Sequence, residues 1–184
     1  RRVGGIYQDF GKGEEMDRLK LVIPKKEHET AVMDFREEFL KAKERVSGGA
    51  GLEQAENYGE WLERKYIPHY GLVDEAVFLA FDGTETLVGI SDIRLGTNDF
   101  VQAFAGRIGY SVRPSQRRKG YASEILRLTL EQAAQYGFQK ILITCNEPNI
   151  ASAKIIEKNG GVLEKMIPHP GFPDVKRYYI DLSL

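Results

Sequence analysis

The chain has one cysteine, Cys145, among 184 residues. A single thiol excludes an intrachain disulfide and a cysteine cage for zinc. Three histidines, His28, His69 and His169, stand far apart without metal-ligand spacing, so no metal is expected. No apolar run approaches the roughly 20 residues of a membrane helix, and no membrane partner is expected. Net charge is lacking too: 26 Lys and Arg face 27 Asp and Glu, a balance of −1. That argues against a chain-wide attraction to nucleic acid and leaves only local patches. Hydrophobic residues make up 42% and charged residues 29%, ordinary usage for a folded chain of one domain.

Arg1 to Glu15 carry four glycines and no helical or strand period. No signal-peptide apolar core is present there, so secretion is not indicated and a cytoplasmic location is expected. Lys12-Gly13-Glu14-Glu15 can be encoded by a purine-rich stretch of the kind that precedes a bacterial start codon, and Met16 follows. Residues 1–15 are therefore read as an extension ahead of a domain spanning 16–184, either translated upstream sequence or a genuine arm.

Leu19 to Ile23 reads as a strand stopped by Pro24. Ala31, Phe35, Phe39 and Ala42 form a helical stripe within Glu27 to Val46. Ser47 to Gly51 breaks the chain, and a second helix is expected over Glu53 to Tyr66. Ala76–Phe81 and Leu87–Leu95 pair as a hairpin around Asp82-Gly83. A strand from Gly106 to Val112, a helix from Gly120 to Gly137, and a near-continuous apolar strand from Lys140 to Cys145 follow. A short helix over Ile150–Lys158 precedes two final strands, Val162–Ile167 and Lys176–Leu182. The expected class is α/β (α+β): a mixed sheet of about seven strands in the order β-α-α-β-β-β-α-β-α-β-β, with helices on both faces.

The segment Val112 to Ala122 carries the chemistry. A strand stops at Pro114, a polar loop follows, and Gly120 opens a helix. Free backbone N–H groups and the helix dipole favour an anion at such a start. Arg113, Arg117, Arg118 and Lys119 crowd into seven residues, and Gly120 has no Cβ to hold a phosphate away. Together these features suit a diphosphate. Neither a Walker loop nor a dinucleotide fingerprint is present. A solvated basic turn is the plain alternative. An RNA-binding role lacks the aromatic-rich strand motif that such modules carry.

Arg117-Arg118-Lys119-Gly120-Tyr121-Ala122 resembles the R/Q-x-x-G-x-G/A signature of the GNAT superfamily of N-acetyltransferases. A second matching segment follows at Asn149-Ile150-Ala151-Ser152-Ala153-Lys154 and Glu157-Lys158-Asn159-Gly160. The chain is also similar to a bacterial branch of uncharacterised predicted acetyltransferases, through Ser91-Asp92-Ile93-Arg94 and Ile108 to Pro114.

The resemblance implies acetyl-CoA as acetyl donor and direct transfer to a primary amine, on a small molecule or a peptide. It implies pantetheine in a gap between the strands at Gly106–Val112 and Lys140–Cys145, with Gly109 permitting a bulge that aims the first strand. Backbone groups of Val112 would bond the pantetheine amides, and the Tyr110 N–H would polarise the thioester carbonyl. Arg113 and the run Arg117, Arg118, Lys119, Gly120, Tyr121, Ala122 would hold the pyrophosphate, and Asn149 the pantetheine arm, with Ser152 nearby. A homodimer is the accompanying expectation.

Many GNAT enzymes place an acidic tyrosine where this chain has Ile156. Tyr110, Tyr121 and Tyr136 are not obvious replacements, and a CoA-binding module without turnover is the alternative that this gap leaves. Asp92, mid-strand among apolar residues, reads either as general base or as the partner of Arg94. His69 could face the acceptor, and His169 reads as a loop tip. Glu27 to Glu63 hold ten acids against four bases, which suits a cationic amine or a solvated helix face.

Overall fold

The apolar residues before Pro24 form β1, Leu19–Val22, in the computed structural model, which describes residues 17–64 and 68–183. A 3-10 turn at Lys26–His28 leads into α1, Glu29–Ala42. Val32, Phe35 and Phe39, at helical spacing, turn one face of α1 inward. Each such fully buried side chain contributes about 1.5–3 kcal/mol. Lys43 takes a left-handed conformation and ends α1, short of the expected Val46.

The second helix is much shorter than the sequence pattern predicts. It is α2, Tyr58–Leu62. The Asn57 side chain caps it by accepting from the Glu60 N–H, which fixes the start. Before it, Arg36 on α1 donates to the carbonyls of Leu52, Glu53 and Ala55. Those carbonyls then cannot serve a helical ladder.

Two hairpin strands follow, β2 (Glu75–Asp82) and β3 (Leu87–Arg94), then a π-helical turn at Val101–Ala105 and β4 (Ile108–Val112). The long helix α3, Tyr121–Gln135, leads to β5, Lys140–Asn146. Helix α4, Ile150–Lys158, and strands β6 (Val162–Ile167) and β7 (Val175–Asp181) complete the order. The element order is the expected one.

The seven strands divide into two sheets, β1-β2-β3-β4 and β5-β7-β6. Every recorded ladder is antiparallel. The sheets meet where the Arg107 N–H donates to the Leu142 carbonyl at 2.8 Å. Beyond that contact β4 and β5 share no ladder, so a gap separates them where a continuous mixed sheet would close.

Alternation along β2 supplies both faces of the first sheet. Val77 and Leu79 pack with Phe35, Phe39 and Trp61 on the α1 side. Phe78 and Ala80 turn toward the α3 side, where Leu126, Leu130 and Ile125 lie. Helices thus cover opposite faces. Among the described residues no helix is long and apolar enough to cross a membrane. The expectations for residues 1–15 and for Tyr66 lie outside the described residues.

Candidate active site

Strand pairing decides which backbone groups face the gap. The Arg94 N–H donates to Arg107 and the Arg113 N–H to Val88, both at 2.8 Å. An antiparallel ladder alternates in steps of two, so Gly109 and Ser111 face β3. Tyr110 and Val112 therefore turn their N–H and C=O away from β3, toward β5. These are the two residues to whose backbone the resemblance assigns the pantetheine and the thioester carbonyl. The Val112 carbonyl accepts from Arg117 Nε at 3.2 Å.

The register of β4 is regular through Gly109, so no bulge aims the strand there. Gly109 serves another purpose. A Cβ on it would lie 2.6 Å from the Gly48 N, and a Cβ on Gly48 would lie 2.3 Å from the Gly109 carbonyl oxygen. The loop after α1 thus passes directly over the Gly109–Tyr110 peptide, held by a 2.7 Å bond from Ser111 Oγ to the Ser47 carbonyl.

Beyond the end of β4, Gly120 sits at the N-terminus of α3 with φ +81° and no side-chain cap. The N–H groups of Tyr121, Ala122 and Ser123 are the open donors of the first turn. Arg18, far away in sequence, reaches this point. Its Nη1 donates to the Lys119 carbonyl at 3.0 Å, and its guanidinium lies 5.1 Å from the Tyr121 ring centroid. Glu124 fixes it through a 3.0 Å ion pair.

The basic turn is less uniform than its sequence. Arg118 is exposed and forms no ion pair among the described residues, while Lys119 Nζ donates to Gln116 at 2.7 Å. Arg117 pairs with Glu44 at 2.5 Å. Arg113 turns away from the helix start, because Glu38 on α1 accepts from its Nε at 2.6 Å and also from the Ser115 N–H. Burial raises the Glu38 pKa, but hydrogen bonds from Arg113 and Ser115 carry it below the ordinary value. Glu38 on α1 and Glu44 just beyond it thus meet two cations of the turn, which answers two of the ten acids counted over Glu27–Glu63.

Across the gap, Asn149 caps α4, its side chain accepting from the Ser152 N–H at 3.0 Å. One carboxamide oxygen is thereby engaged and the amide nitrogen remains. The Ser152 Oγ lies 3.0 Å from the Tyr110 hydroxyl. Burial pushes the Tyr110 phenol up to about 12. Cys145 is buried at the end of β5, and burial raises its thiol too.

Residues 18–162 match the family description "Acetyltransferase (GNAT) domain". The chain belongs to the GNAT acetyltransferase family. Solved structures share the fold of this GNAT domain at low identity. Dodecameric spermidine N-acetyltransferase SpeG from Vibrio cholerae aligns at 19% identity and a TM-score of 0.61, over 90% of this chain and 95% of its own. RimL, a ribosomal L7/L12 α-N-protein acetyltransferase in complex with coenzyme A, aligns at 19% and 0.64, over 90% and 95%. The acetyltransferase from Salmonella typhimurium that modifies the N-terminal serine of L7/L12 aligns at 19% and 0.61, over 90% and 95%. No curated protein matches the chain in sequence.

The GNAT domain is an N-acetyltransferase that uses acetyl-CoA. Two of its features were not legible in the motifs. Ile156 is fully buried in the core beside Leu126, Leu130 and Ile141, so it belongs to packing. Asp92 is also fully buried, with Arg94 Nη2 at 3.4 Å and the Gly109 N–H donating to it at 2.9 Å. His69 and His169 join Phe100, Phe104 and Phe172 in an aromatic cluster drawn from three loops, with His169 stacked on Phe104 at 4.0 Å.

Proposed function

We propose that this domain, residues 16–184, acetylates a primary amine by direct attack on the thioester, with the donor held in the gap between β4 and β5. The observation that carries this reading is the backbone of Tyr110 and Val112 turned away from β3, followed in the chain by the uncapped start of α3. The donor set suits the ligand: strand amides and carbonyls for pantetheine, and helix N–H groups with cations for a diphosphate. Acetyl-CoA supplies an activated acyl group and a thiol leaving group.

Each residue then has a task. The N–H groups of Tyr121 and Ala122, with Arg117, Arg118, Lys119 and Arg18, hold the pyrophosphate beside Gly120. Val112 bonds the pantetheine amides and the Asn149 amide nitrogen bonds the arm. The Tyr110 N–H stabilises charge developing on the carbonyl oxygen. The Tyr110 hydroxyl donates a proton to the departing sulfur, and Ser152 returns one from solvent. The phenol is protonated at neutral pH, and burial, which pushes it up to about 12, makes it a weaker acid than an ordinary tyrosine, so its contribution is expected at the low end for a general acid. Arg113, drawn to Glu38, anchors the turn to α1.

Asp92 serves the fold of the site, because a fully buried carboxylate paired with Arg94 has no path to an incoming amine. The proton lost by the amine passes to water. The neighbours in fold act on spermidine and on a protein α-amine, so both kinds of acceptor belong in the assay. Release of free CoA from acetyl-CoA across such a panel tests the reading. Turnover with at least one primary amine is expected, and acetyl-CoA binding without turnover on any would contradict it.

Self-association is supported by β6, the outer strand of its sheet, where Val162, Leu163 and Met166 are at least half exposed. A dimer by light scattering that Leu163→Glu dissociates is the expected result.

A further inference from the structure

The Asp92–Arg94 pair touches β4 at two places, and both matter to the gap. Asp92 Oδ1 accepts from the Gly109 N–H at 2.9 Å, one peptide before Tyr110. Arg94 Nη1 donates to the carbonyls of Ala105 and Gly106 at 2.9 and 3.0 Å. Gly106 immediately precedes Arg107, whose N–H makes the contact between the two sheets. One ion pair therefore grips the vertex of the gap and the arm that carries Tyr110.

The pair is itself immobilised. Both side chains are at most 5% exposed. The Tyr70 ring covers the Arg94 guanidinium at 4.3 Å, and the Tyr70 hydroxyl lies 3.4 Å from Asp92 Oδ2 while donating to Glu75 at 2.6 Å. On the other side Gly48 presses on the Gly109–Tyr110 peptide. Gly109 is thus held at its N–H by Asp92 and at its carbonyl by the Gly48 contact, which limits rotation of the Tyr110 N–H that follows. An oxyanion donor of that kind acts because it is fixed before charge develops.

We propose that Asp92, braced by Arg94, is a positioning residue: through Gly109 it sets the direction of the Tyr110 N–H. This rests on the reading that Tyr110 polarises the thioester carbonyl. Asparagine cannot replace it, because it removes the charge paired with the buried Arg94 and puts an NH2 donor where a carboxylate oxygen accepts.

The test needs no acceptor. Acetyl-CoA labelled with 13C at the acetyl carbonyl is bound to wild type and to Asp92→Asn, and the bound carbonyl band is read by infrared difference spectroscopy. In wild type the band is expected at lower frequency than for free acetyl-CoA. In Asp92→Asn it is expected to move back toward the free position, while affinity for CoA, which lacks the carbonyl, stays unchanged. Should Asp92→Asn not fold, Asp92→Asn/Arg94→Gln removes both charges together and reads the same band. A band as displaced in the folded variant as in wild type overturns the proposal and leaves the acetyltransferase reading intact. A wild-type band at the free position, with binding confirmed by a thermal shift, overturns the Tyr110 reading and the proposal together. Absence of binding to wild type overturns both and is recognised by the missing thermal shift.

Discussion

The hydroxyl of Tyr110 on β4 and the Oγ of Ser152 on α4 lie 3.0 Å apart across the gap. A residue on each wall thus meets beside the buried Cys145, and the tyrosine is held protonated by its burial. Tyr110→Phe is expected to lower kcat by about 10²-fold, the lower end of general-acid contributions, with CoA affinity unchanged. Because the phenol is raised to about 12, the kcat profile of wild type should show no alkaline limb from Tyr110 up to about pH 10, the ordinary tyrosine value. Steady-state kinetics across pH check both statements. An unchanged kcat in Tyr110→Phe would remove the hydroxyl from the reaction.

With Arg117 on the diphosphate as proposed, Glu44 would compete with the donor for it. Their 2.5 Å pair is close to half exposed on both sides, and the hydrogen bond from Arg117 lowers the Glu44 pKa. Glu44→Gln should free Arg117 and tighten CoA binding by up to about fivefold at low salt, as an exposed pair is worth at most ~1 kcal/mol. The lowered pKa means that the pair is intact above the ordinary glutamate range and is lost as pH falls through the folded value. Calorimetric titration at two salt concentrations reads the effect. Weaker binding in the variant would show that Glu44 orders the turn.

Gly120 has φ +81°, and a Cβ there would lie 3.3 Å from Arg18 Nη2. Gly120→Asp combines an unfavourable left-handed backbone with a negative charge at the diphosphate position. CoA affinity should fall by more than about tenfold while the fold, measured by circular dichroism, persists. Normal affinity in a folded variant would displace the diphosphate from this turn.

Ile156 stands where the resemblance to GNAT enzymes implies an acidic tyrosine, and its side chain is fully buried among core residues. Ile156→Tyr should therefore destabilise the protein by about 1–3 kcal/mol through overpacking and should not raise turnover. Denaturant unfolding and kinetics on one preparation decide. A rise in kcat would mean that the tyrosine reaches the gap.

Element order and the two signature segments were legible because both are local: apolar periodicity, a proline stop, a glycine at a helix start. Long-range pairing was not. Arg18 reaches Lys119 across more than a hundred residues, and nothing near Arg18 in sequence marks it. Glu53 to Asn57 have helical composition, but Arg36 on another element donates to the Glu53 and Ala55 carbonyls. Gly109 reads as a bulge in one strand and proves to be the contact point of a distant loop. Asp92 left two readings open in sequence, and burial with Arg94 beside it favours the pairing.

The central claim is that acetyl-CoA lies between β4 and β5, its diphosphate on the start of α3. Amide chemical shifts of the 15N-labelled protein, followed as acetyl-CoA is added, test it most directly. The largest changes are predicted at Tyr110, Val112, Gly120, Tyr121 and Ala122, with little change at the distant edge residues Val162 and Leu163. Saturable changes that leave Tyr110 and Val112 unmoved, or no changes at millimolar acetyl-CoA, would contradict it.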